Sequence, residues 1–220
     1  MKQLLIFFIL ILSSGCNQDS DEKKCNQSVQ VCTSSTLIPQ EGDDYIPENG
    51  VPDEALTFDT NLSMVDFNLE QEAKIIEASE LIKRVVASEE FKDAVINHTY
   101  DGVKTFVDNQ GLTNIQIYNK FLQGAEKLTP ARNNAMDAEL ALYYENTNTI
   151  GYTYPNTKRI WMNTKYFNNY TSSQVAGNLT HEWMHKLGFT HTSSYTTSRS
   201  YSVPYAVGYI ILKLIPQVGY

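Results

Sequence analysis

Three of the four histidines in this chain fall within eleven residues, in the run His181-Glu182-Trp183-Met184-His185-Lys186-Leu187-Gly188-Phe189-Thr190-His191. On a helix, positions 181 and 185 stand one turn apart on the same face, so both imidazoles can reach a single cation. His191 cannot join them from the same straight helix. Gly188 resolves this, because a residue free to adopt positive φ lets the chain turn back and bring His191 under the metal. Three imidazoles with an open fourth position are the ligand set of a catalytic zinc, whereas a structural zinc closes its shell with Cys or a fourth protein ligand. Glu182, beside the first ligand, is not a ligand in this scheme. Its carboxylate is expected to act as general base on a water at the metal and to pass the proton to a leaving amine. The remaining histidine, His98, reads as an ordinary surface or capping residue near the end of a scaffold helix.

The elements that must position these groups are legible around them. Thr171 with Gln174 makes a capping box for the helix carrying the histidines, and Gly188 ends it. Ahead of that helix, 139–144, 150–154 and 159–163 are short runs rich in aromatic and branched residues, separated by Asn-rich and Pro155-Asn156 turns. Three strands followed by one long helix give a sheet that backs the active-site helix. Upstream, residues 69–86 place Ile75, Ile76, Leu81, Ile82 and Val85 at helical spacing among charges. Ser88 opens a second helix through Phe91 and Val95. A third begins at the Thr113/Gln116 capping box and ends at Gly124. Beyond His191, Pro204 suits a first helical position, Ala206 to Leu214 continue the helix, and Pro216 closes it. The expected class is α+β, a small mixed sheet over an active-site helix with a short C-terminal part.

The composition narrows the partners. The chain has 220 residues, 25 acids against 17 bases and a formal charge of -8. The acidity is local: 17–60 holds Asp19, Asp21, Glu22, Glu41, Asp43, Asp44, Glu48, Asp53, Glu54 and Asp59 against only Lys23 and Lys24. The rest is nearly neutral, and its bases are too scattered to track a phosphate backbone, so no nucleic-acid partner is expected. Leu4 to Leu12 is an unbroken apolar run of export-signal length, under half of a membrane span. It leads into Leu12-Ser13-Ser14-Gly15-Cys16, which resembles the lipobox of bacterial lipoproteins, with Ser13 where Leu is usual. That resemblance implies cleavage before Cys16, a lipid anchor on its thiol, and a cell-envelope address; Asn17 does not match the inner-membrane retention signal, which points to the outer membrane. The alternative is an ordinary secretory signal and a secreted product. Residues 1–15 are thus expected to be a signal peptide, 16–60 an acidic flexible tether, and 61–220 the catalytic domain. Cys25 and Cys32 are either a disulfide closing a small loop or two free thiols.

The stretch from His181 to His191 resembles the zinc consensus of the metzincin clan of metalloendopeptidases, HExxHxxGxxH. The resemblance implies zinc ligands His181, His185 and His191, Glu182 as general base, and the turn at Gly188. It also implies that Ile150, Gly151, Tyr152, Thr153 and Tyr154 form an edge strand that binds substrate as an added antiparallel strand. Two features depart from the clan. No Met follows Met184, where the clan places a Met-containing turn; Ser202-Val203-Pro204-Tyr205 is the nearest counterpart, with Pro204 in place of Met. The part after His191 is also short. Tyr205 is expected to stabilise an oxyanion or touch the metal, as some metzincin tyrosines do, or to be a packing residue opening the last helix. The function implied is a monomeric zinc endopeptidase acting on extended polypeptides. The alternatives are a surface lipoprotein whose zinc site is structural or a relic, and a zinc amidase acting on cell-wall peptides.

Overall fold

The computed structural model describes residues 57–129 and 132–218. The expectations for the signal peptide, for lipidated Cys16, for Cys25 and Cys32 and for nearly all of the tether therefore lie outside the described residues. Asn68 and Gln71 form a reciprocal capping box that starts helix α1 (Leu69–Val86). Its inner stripe buries Ile75, Leu81, Ile82 and Val85, while Ile76, next along the helix and 100° round it, is exposed. The Ser88 side chain caps α2 (Glu89–Ile96), and the Thr113/Gln116 box starts α3 (Asn114–Gln123). Gly124 ends α3 in the left-handed region at φ 60. Only Gly fits there, since a Cβ would run into the Ala135 backbone.

Four strands form one mixed sheet in the order β1-β2-β4-β3. β1 (Asp59–Val65) and β4 (Arg159–Asn163) both run parallel to β2 (Ala135–Tyr143), and β3 (Gly151–Thr153) pairs antiparallel to β4 at the edge. β1 is the element the sequence reading missed. It begins at Asp59, so the 60/61 boundary between tether and domain cuts through it. Its sequence, DTNLSMV, alternates exposed with half-buried residues and carries little apolar weight of its own. Its order comes from a seven-residue ladder with β2. β2 likewise starts four residues earlier than the 139–144 run suggested.

The sheet presents Met136, Leu140, Ile160 and Met162 to the core, where α5 (Ser172–Lys186) contributes Val175, Ala176, Leu179 and Trp183. Trp183 sits edge-on to Phe121, with ring centroids 4.9 Å apart, and Phe58 closes the cluster. A single helical turn, α4 (Thr164–Phe167), links β4 to α5. After a 3₁₀ turn at Thr197–Tyr201, α6 (Val203–Leu214) starts with Pro204 in its first turn, and Pro216 lies in the 3₁₀ turn that follows it. Among the described residues no helix is long and apolar enough to cross a membrane.

Candidate metal centre

α5 starts at the Thr171/Gln174 capping box and ends in a Schellman motif: the Gly188 N–H donates to the His185 carbonyl and the Phe189 N–H to the Met184 carbonyl. Gly188 adopts φ 97, and the chain reverses there. That reversal brings His191 back to the helix. One ligand-capable atom from each of His181, His185 and His191 lies within 4.8 Å of the others. The Nε2 atoms of His181 and His191 are 3.3 Å apart.

Two of the rings are oriented by backbone carbonyls. His185 Nδ1 lies 2.8 Å from the Phe189 carbonyl and His191 Nδ1 3.0 Å from the Thr192 carbonyl, contacts in which the ring N–H is the donor. These partners fix the tautomer and leave Nε2 of His185 and of His191 as a lone pair directed into the cluster. Burial holds all three rings below the ordinary imidazole range, His185 at about 4 and His181 far down, and their mutual repulsion adds to this. They are therefore neutral at pH 7, the state in which imidazole binds a cation. The cluster can hold a metal ion.

The helical wheel sets what stands on either side of this row. Asn178, Glu182 and Lys186 form the flank facing β3; Gly177 and His181 face α6. A Cβ on Gly151 of β3 would stand 3.2 Å from Glu182 Oε1 and 3.1 Å from Asn178 Oδ1, so the strand approaches α5 as closely as a glycine allows. Glu182 is only 4% exposed, and burial pushes its carboxyl up to about 8 against the opposing pull of Lys186. Lys186 is itself 6% exposed, with its ammonium donating to the carbonyls of Tyr154, Thr157 and Arg159 at 3.2, 2.5 and 2.9 Å. All three of its donors are used, and together they pin the β3–β4 hairpin to the metal-cluster helix. At the other end of β3 the buried Asn163 side chain ties the preceding loop to β4, donating to the carbonyls of Glu145 and Thr149. Sequence reasoning missed both residues. Lys186 was findable as the third polar member of the 178/182/186 stripe; Asn163 carried no such signal.

On the other flank, α6 crosses α5 where Gly177 meets Gly208. A Cβ on Gly208 would lie 2.7 Å from the Gly177 carbonyl oxygen and 3.3 Å from His181 Cβ. This close crossing brings Tyr205 against the cluster, its ring centroid 4.4 Å from that of His181 and 4.7 Å from that of His191. The opposite face of α5 is tied down by Glu126, whose Oε1 accepts from Trp183 Nε1 at 2.6 Å and from the Asp137 N–H at 2.9 Å.

A cavity of about 820 Å³ opens over the cluster, lined by Ile150, Gly151, Tyr152 and Thr153 on one side and by Tyr205 and Tyr209 on the other, with Glu182 and the three histidines at its base. Tyr154 is not part of the lining. β3 ends at Thr153, and the Tyr154 ring packs on Trp161 instead. His98 lies apart from the cluster, just past the end of α2, half-buried and stacked on Phe106 at 4.1 Å. Comparison with known protein families, with curated proteins and with solved structures finds no match.

Proposed function

We propose that this chain is a zinc-dependent endopeptidase built on a metzincin-like plan. The zinc assignment rests on the donor set: three neutral imidazoles, two of them oriented by carbonyls. The 3.3 Å separation of two Nε2 atoms is also that of tetrahedral ligands with bonds of about 2.0–2.1 Å. Zinc held by His181, His185 and His191 supplies a Lewis acid for a substrate carbonyl and lowers the pKa of water. One juxtaposition carries the peptidase reading. Glu182 lies between the histidine row and the edge strand β3, so close that a Cβ at residue 151 would crowd its carboxylate. An extended substrate pairing with the free edge of β3 would run its backbone past this carboxylate. Ionised, as the positive charge of a bound metal favours, Glu182 would take the proton from the attacking water and deliver it to the leaving amine. The Tyr205 hydroxyl is the candidate donor to the developing oxyanion.

The test uses elemental analysis for zinc and cleavage of a mixed peptide library, for the wild type and for Glu182→Gln. Zinc kept with cleavage abolished is the expected result. A zinc-loaded wild type that cleaves nothing would favour a metal-binding module, and a protein that takes up no zinc would remove the reading. We propose in addition that Cys16 carries the lipid that tethers the domain to the cell envelope, as the Leu12–Cys16 segment suggests. Metabolic labelling with a fatty acid, lost in Cys16→Ala, checks this.

A further inference from the structure

The cavity's charge is opposite in sign to that of the chain. Overall the protein carries -8, yet Glu182 is the one acid among the lining residues, against Lys127, Lys186 and Arg199. Lys186 is committed to three carbonyls. Arg199 is not comparably engaged. Its guanidinium carbon lies 4.8 Å above the Tyr205 ring and 4.9 Å from the Tyr195 ring, held between two aromatic faces at the cavity wall. It forms no ion pair among the described residues. Its terminal nitrogen reaches only the Ser193 carbonyl at 3.4 Å, and its Nε is buried without a hydrogen-bond partner. A guanidinium so held, beside the Tyr205 ring that touches two of the histidines, is preorganised for a planar anion arriving from the cavity.

We propose that Arg199 is a specificity residue that pairs with a carboxylate of the substrate close to the scissile bond, so that the cavity selects acidic peptides. This deepens the peptidase reading and rests on it. The carboxylate has two possible sources, an Asp or Glu side chain and a free chain terminus. Since β3 and α6 flank the histidine row, a substrate paired with β3 presents one side of its backbone to the strand and turns the other toward Tyr205 and Arg199. Lys would not replace Arg equally, because the stacked, forked geometry holds two parallel hydrogen bonds to a carboxylate.

The test uses acetylated Ala-Ser hexapeptides carrying a single Glu or its isostere Gln at each position in turn, with the C-terminus either free or amidated. Binding is measured calorimetrically to full-length zinc-loaded Glu182→Gln, and KM and kcat are measured with the wild type. A charge-assisted pair should give about a ten- to hundredfold preference for the carboxylate form, carried in affinity and KM and not in kcat. Arg199→Gln should abolish the preference and Arg199→Lys retain part of it, with both variants melting as the parent does. A preference that follows Glu identifies a side-chain partner; one that follows the free terminus identifies the chain end. Equal binding of Glu and Gln peptides, binding by neither, or a preference that survives Arg199→Gln would overturn the proposal. The binding arm needs no turnover, so failure of the peptidase reading shows as absent cleavage while charge selectivity is still measured.

Discussion

Glu126 offers a prediction whose size follows from its surroundings. It is 4% exposed, and Oε1 accepts from both Trp183 Nε1 and the Asp137 N–H, while Oε2 is buried with no partner. Burial pushes its carboxyl from the ordinary 4.5 up to about 7; the two N–H donors pull the other way and the Asp137 charge adds to the rise. Folding therefore keeps a proton on Glu126 that the unfolded chain has already released. With more protons on the folded form, stability is greatest below about pH 4.5, falls as pH rises to about 7, and is level beyond. Each pH unit in that window is worth about 1.4 kcal/mol, so the loss reaches about 3 kcal/mol. Glu126→Gln keeps the Oε1 acceptor for both N–H groups and replaces the ionisable oxygen with an uncharged amide nitrogen. Near pH 4.5 the variant should match the wild type within about 1 kcal/mol, and at pH 8 it should be more stable by about 2–3 kcal/mol. Urea denaturation of the metal-free protein from pH 4.5 to 8.5, followed by tryptophan fluorescence, gives the two curves. Their difference isolates Glu126 from every other titrating group. Parallel curves, or a variant destabilised equally at all pH values, would refute the account of the buried carboxyl.

Three further outcomes test how the site is held. Gly188→Ala must force φ 97 on an L-residue and drive its Cβ into the Lys127 side chain. It should cost about 1–2 kcal/mol and weaken metal binding by the histidine cluster at least tenfold by displacing His191, as read by metal titration against a chelator. Gly151→Ala adds a Cβ 3.2 Å from Glu182 Oε1 and 3.1 Å from the Trp161 carbonyl oxygen. Its thermal stability should change by less than about 1.5 kcal/mol while, on the proposed function, peptide cleavage falls by about tenfold or more, because the proposed general base is displaced by a few tenths of an ångström. Lys186→Met strips three carbonyls of their donor and should cost about 2–4 kcal/mol, with hydrogen exchange in β3 and β4 rising more than in β1 and β2.

Legibility in the sequence followed how local the governing physics was. The capping boxes at Thr113 and Thr171 and the terminators Gly124 and Gly188 act over four or five residues, and each stands where its spacing put it. Helix α1 matched its expected bounds to the residue, while Ile76 of its expected stripe turned out to face away from the core. β1 failed the same reading because a polar-alternating segment has no signature until β2, some seventy residues on, supplies its ladder. The edge strand was found but drawn too long. Its register is set by the Asn163 and Lys186 clamps, which remove Tyr154 from the cavity wall.

By itself the sequence determined the histidine trio that can hold a metal ion, the glutamate after the first of them and the glycine that reverses the chain, since helix periodicity and one positive φ settle these within eleven residues. It also determined that the acidity lies mostly ahead of the domain. Only the tertiary structure decided what surrounds the cluster. The Gly177/Gly208 crossing set Tyr205 against two histidine rings, the hairpin clamps put β3 over Glu182, and the 193–199 segment carried Arg199 to the cavity wall. These depend on contacts between residues far apart in the chain, whose energies no local pattern encodes.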